Sequence, residues 1–111
     1  MTKPLSKTDL TRAAWLTELR RQGHRQCQDA LRIGTRVCAI GLLGEVANAK
    51  ERQFSHGDDY GIGALAGLSH DQVEEVTKRN DGAYDTVRSK HLPKHTFAEI
   101  ADVVEGWFPA G

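Results

Sequence analysis

The sequence predicts an all-α protein: a small bundle of about four helices around one central apolar helix, residues ~37–50. Three observations carry this. Apolar residues recur at helical spacing behind a polar cap in "SKTDLTRAAWLTELRRQG". The stretch "RVCAIGLLGEVAN" is apolar around most of a helical circumference, as a helix enclosed on all sides must be. Two capping boxes, Ser69 with Gln72 and Thr96 with Glu99, open further amphipathic runs.

In chain order, Ser6 or Thr8 caps the first helix. Asp9 lies near its positive end, and Arg20 and Arg21 lie near its negative end. Leu10, Ala13, Ala14, Leu16 and Leu19 form its apolar stripe, Trp15 covers the flank and Gly23 stops it. Residues His24 to Thr35 are polar and arginine-rich. Leu31 and Ile33 alternate there, which predicts a loop or a short extended segment near 30–35 broken by Gly34. In the central helix, Gly41 and Gly44 each cost about 1 kcal/mol relative to alanine, so close approach of another helix is expected there. Residues Gln53 to Gly67 hold four of the eleven glycines and read as a loop. The next helix turns Val73 and Val76 to the core and stops at Asn80 to Gly82. Ala83 to Lys94 reads as a polar connector. The last helix carries the stripe Phe97, Ile100, Ala101, Val104 and Trp107 or Phe108, with Pro109 as its terminator.

With 111 residues, 39% of them hydrophobic, the chain is long enough for one domain, 1–111, with residues 1–6 as a flexible N-terminus. No apolar run approaches the ~20 residues of a membrane span, and the N-terminus is polar, without a signal-type apolar region. Two cysteines ten or so positions apart (Cys27 and Cys38) then read as reduced thiols of a cytoplasmic protein. Net charge is zero but unevenly placed. Up to Arg36 eight basic residues face three acidic ones, net +5, and the remainder is net −5. Such asymmetry marks either a nucleic-acid-facing end or two halves that pack with complementary charge.

The candidate chemistry is sparse. His24, Cys27, Cys38, His91 and His95 are potential zinc ligands, but Cys38 lies in an apolar run and Pro93 breaks the histidine pair, so no metal centre is expected. Cys38 stands near a helix N-terminus with Arg36 two residues back, a setting that can activate a thiolate. Its neighbours Val37, Ala39 and Ile40 favour burial as packing material. "GIGALAG" has no preceding strand to make a dinucleotide site, and "GLLG" is too apolar for an RNA-clamping loop. No cofactor is implied.

Three pieces together resemble a family of small uncharacterised bacteriophage and prophage proteins. They are "WLTELRRQGHRQCQDALR", "VCAIGLLGEVA" and "LSHDQVEEVTKRNDG" followed after a connector by "HTFAEIADVVEGWF". These are similar to that family's Trp-x2-Leu-Arg segment, its Cys-Cys-Leu-Gly segment and its Asn-Asp…Phe-x-Glu-Ile-Ala-Asp segment. The resemblance implies a phage setting and assigns no mechanism. Where the family often has paired cysteines, this chain has Val37 and Cys38.

The expected function is non-enzymatic binding to a host or phage macromolecule in the bacterial cytoplasm, with a protein as the first expectation and no membrane partner. The expected surfaces are the basic segment Arg20, Arg21, Arg25, Arg32 and Arg36, and an exposed stretch with Tyr60, Ile62 and Leu65. The alternatives are a nucleic-acid-binding regulator using the same arginines and an enzyme using Cys38.

Overall fold

The computed structural model describes residues 6–82, 84–85, 90–91 and 93–108. Among them are six α-helices: α1 (Lys7–Arg21), α2 (Ala39–Val46), α3 (Glu51–Ser55), α4 (Asp59–Ala64), α5 (His70–Asp81) and α6 (Phe97–Trp107). Two short antiparallel ribbons join them: β1 (Arg32–Ile33) with β2 (Arg36–Val37), and β3 (Tyr84–Asp85) with β4 (Lys90–His91). The protein is all-α in architecture, as its sequence predicts. The expected flexibility of residues 1–6 and the stop at Pro109 lie outside the described residues, apart from Ser6.

Ser6 caps α1. Its hydroxyl accepts the Asp9 N–H at 3.1 Å, and the Asp9 carboxylate accepts the Ser6 N–H at 3.4 Å. The buried face of α1 differs from the expected stripe: Leu10 is 56% exposed, Ala13 and Ala14 are exposed, and Trp15 is wholly buried with Leu19. Rotating the helix this way encloses its largest side chain. The indole N–H is not stranded, because it donates to the Ala39 carbonyl at 2.9 Å.

The helix at the centre is shorter than 37–50. Cys38 is its N-cap, and Arg36 and Val37 belong to a hairpin. The hairpin turn is Gly34-Thr35 with Gly34 at φ +60°, the conformation a two-residue turn beginning with glycine requires. Residues Ala39 to Gly44 are all buried, and α1, α4 and α5 pack around them. Asn48, at φ +56°, turns the chain out of α2 short of the expected end near 50, and Glu51 and Arg52 open α3.

The expected loop over 53–67 is a pair of short helices. Asp58 nucleates α4 by accepting the Gly61 N–H at 3.1 Å. Only Gly57 and Gly67 act as turn residues there, at φ +65° and +77°. Gly63 is a packing residue, since a Cβ on it would lie 2.2 Å from the Val73 side chain.

The two capping boxes form as expected. The Ser69 hydroxyl accepts the Gln72 N–H and the Thr96 hydroxyl accepts the Glu99 N–H, each at 3.2 Å. Gly82, at φ +68°, closes α5 by donating to the Lys78 carbonyl. Phe97, Ile100, Ala101 and Val104 are buried on α6 and join Trp15, Leu19, Ile40, Leu43 and Val76 in one core. Within the expected connector Tyr84 pairs with His91 and Asp85 with Lys90, Pro93 and Lys94 are exposed, and residues 83, 86–89 and 92 lie outside the described ones.

Both central glycines are sites of close approach, but the approaching groups differ. A Cβ on Gly41 would lie 1.9 Å from the Leu31 carbonyl oxygen, which belongs to the bend just before β1 and not to a helix. A Cβ on Gly44 would lie 2.7 Å from the Phe54 ring of α3, a half-buried side chain that can yield. Gly41→Ala is therefore expected to destabilise by about 3 kcal/mol or more, and Gly44→Ala by about 1 kcal/mol after its gain in helix propensity. Urea unfolding of both variants checks the order; equal losses would contradict it.

Candidate functional site

Among the described residues, one of the clefts reaches core residues of α2 and α5. It lies where residues 29–31, the start of α2, the end of α3, the start of α4 and the end of α5 meet, and holds about 570 Å³. Its position is set by Asn80. That residue follows Val73 and Val76 on the buried face of α5 and is 1% exposed. Its side-chain oxygen accepts the Ala39 N–H of α2 and the Gln26 Nε2–H, both at 3.1 Å. Its Nδ2 donates to the Cys27 carbonyl at 2.8 Å and to Asp81 Oδ1 at 2.9 Å. Asp81 Oδ1 also accepts the N–H of Asp29, which sits at φ +65°. This bond holds the 29–31 segment against α5 and forms one wall.

Among the described residues, the titratable groups lining the cleft are Asp29, Asp59, Asp81 and Cys38, with no lysine, arginine or histidine. Partial burial raises the pKa of Asp59, and the nearby charges of Asp81 and Asp58 raise it further. Burial pushes the Cys38 thiol up to about 12, against the backbone N–H groups of Gly41 and Ile40 that favour the thiolate. The Cys38 sulfur accepts the Gly41 N–H at 3.3 Å, so the residue is a helix cap in an apolar wall and stays protonated near neutral pH. Cys27 is also buried, and burial raises its pKa as well. Among the described residues no three His, Cys, Asp or Glu side chains are grouped closely enough to hold a metal ion. The lining therefore suits a cationic group and opposes a phosphate.

The five arginines expected to form a binding surface are dispersed, and four are engaged within the chain. Arg20 reaches Asp102 at 2.9 Å and Glu105 at 3.3 Å on α6, and Arg21 pairs with Glu18 at 2.8 Å. Arg25 makes a two-pronged contact with Glu45 on α2, at 2.9 Å for each nitrogen, and Arg32 pairs with Glu51 while lying over the Phe54 ring at 4.3 Å. Arg36 is exposed on the β1–β2 ribbon opposite Ile33.

In the second expected surface, Ile62 is a correction. It is wholly buried, because α4 turns it inward against α2. Tyr60 and Leu65 are exposed, but five positions on a helix separate them by about 140° around its axis. They do not form one patch. The sequence reading missed Asn80, Asp81, Asp29 and Asp59. The i, i+3, i+7 spacing of Val73, Val76 and Asn80 is the signal that a polar residue sits on a buried stripe. No helix among the described residues is long and apolar enough to cross a membrane.

Two tests follow from this geometry. Asn80→Ala strands the Ala39 N–H and the Cys27 carbonyl, and is expected to cost about 3 kcal/mol in urea unfolding. A loss below about 1 kcal/mol would show that neither group depends on it. The raised pKa of Asp59 means that its ionisation opposes folding. Its contribution to stability is fully present below the ordinary aspartate value of 3.8 and is lost as pH rises through the folded-state value. Asp59→Asn should thus melt above the parent at pH 7, and the gap should close below pH 3.8; a gap independent of pH contradicts this. No protein-family model, curated protein or solved structure matches the chain, so a functional reading rests on its own residues.

Proposed function

We propose that this chain is a non-enzymatic binding protein, a phage-type accessory domain that acts in the bacterial cytoplasm by engaging a host or phage protein. The observation that carries the reading is the distribution of unpaired charge. Four of the five arginines of the basic segment are drawn onto Asp102, Glu105, Glu18, Glu45 and Glu51, whereas the described lining of the cleft beside Asn80 carries carboxylates and no basic group. A surface of this kind repels a phosphate backbone and attracts basic groups on a protein. The phage setting rests on the three sequence segments described above. The enzymatic alternative lacks an activated nucleophile, since the Cys38 thiol is buried and protonated.

Fluorescence anisotropy with short single- and double-stranded DNA and RNA tests this reading against its nucleic-acid alternative. The expected outcome is no binding at low salt. Binding whose log affinity falls linearly with log salt, by about 0.9 per phosphate contact, would overturn the protein-partner reading in favour of the arginine segment.

A further inference from the structure

Tyr60 is 40% exposed, yet its ring is held at one face and at its hydroxyl. It stacks on His70 with centroids 4.3 Å apart, and its hydroxyl donates to Glu74 Oε1 at 2.7 Å. An exposed aromatic ring already held in one position loses little freedom when a partner covers it. The hydrogen bond to Glu74 raises the pKa of the Tyr60 hydroxyl most, and among the described residues the negative charges of Glu74, Asp59 and Asp71 raise it further. Asp59, the residue before Tyr60, also lines the neighbouring cleft with Asp29 and Asp81, which links the two acidic sites through one residue. Asp58 and Asp81 disfavour the ionised form of Asp59, a repulsion that an incoming cation would relieve.

We propose that the α4–α5 face centred on Tyr60 docks a basic segment of a protein partner, with an arginine or lysine over the Tyr60 ring and a second basic side chain in the adjoining cleft. This rests on the protein-binding reading above and names the partner's chemistry. Charge complementarity selects the occupant. Three carboxylates around a fixed ring stabilise a guanidinium or ammonium by both ion pairing and contact with the ring face. The same carboxylates exclude nucleic acid and acidic peptides. Leu65, the C-cap of α4, is not part of the face.

The test is a titration of the isotope-labelled chain, followed by ¹⁵N–¹H correlation spectra, with a short synthetic peptide of Arg, Leu and Ala and with its Glu-for-Arg counterpart. The Arg peptide is expected to shift the amides of Asp59 to Gly61 and His70 to Glu74, with an affinity that weakens as salt rises. Tyr60→Ala and Glu74→Lys should each weaken it about three- to tenfold, whereas Tyr60→Phe should keep most of it and Leu65→Ala all of it. Unchanged amide dispersion in each variant confirms its fold. Shifts elsewhere, equal binding of the Glu peptide, no binding of the Arg peptide at low salt, or indifference to Tyr60→Ala and Glu74→Lys would each overturn the proposal. A protein partner that binds equally to parent, Tyr60→Ala and Glu74→Lys would remove this face and leave the binding role standing. Salt-dependent binding of DNA or RNA would remove the role itself.

Discussion

The carboxamide of Asn80 joins three segments: the first turn of α2, the stretch leading into the β1–β2 hairpin and the end of α5. One planar group supplies the acceptor for an otherwise orphaned helix N–H and the donor for a buried carbonyl, a pairing that a carboxylate or a hydrocarbon cannot reproduce. Gln26 extends the connection by donating to the His95 carbonyl at 2.7 Å, one residue before the Thr96 cap of α6. With α2 anchored at its N-terminus, Gly41 comes to rest beneath the Leu31 carbonyl and Trp15 finds its partner at Ala39. The cleft is the space left beside this junction. It exists because Asp29 and Asp81 are tied together across its rim.

How much of this was legible in the sequence depends on the range of the interaction concerned. Caps are local, so Ser6, Ser69 and Thr96 could be identified from the residues three positions on. The α6 stripe was equally clear, because its apolar residues have one consistent face. In α1 the small residues Ala13 and Ala14 imitate a stripe, and only a distant acceptor at Ala39 makes burying Trp15 favourable. Glycine was the other ambiguous signal. Gly61 and Gly63 read as loop formers, yet they lie in α4, and Gly63 is there because Val73 needs the space. The cleft was hidden for the same reason: Asp29, Asp59 and Asp81 come from three separate elements, and no local spacing relates them.

The charge asymmetry of the chain resolves as internal complementarity. Arg20, Arg25 and Arg32 of the basic half each meet a carboxylate of the acidic half. Such partly exposed pairs add only about 0–1 kcal/mol each, so their larger effect is on what the surface presents. Among the described residues, Asp29, Asp59 and Asp81 are then the charged groups lining the cleft, with Asp71 and Glu74 acting on Tyr60 beside it.

The packing of α1 on α6 has a consequence during synthesis. Arg20 and its partners Asp102 and Glu105 are 82 and 85 residues apart in sequence. At about 5–20 residues per second, the ribosome adds the helix that covers this side of α1 roughly 4–17 s after α1 itself. For that interval the nascent chain carries the apolar side of an early helix without its final neighbour. Its exposure to aggregation and to chaperones is therefore set by the order in which the helices emerge, quite apart from the stability of the finished fold.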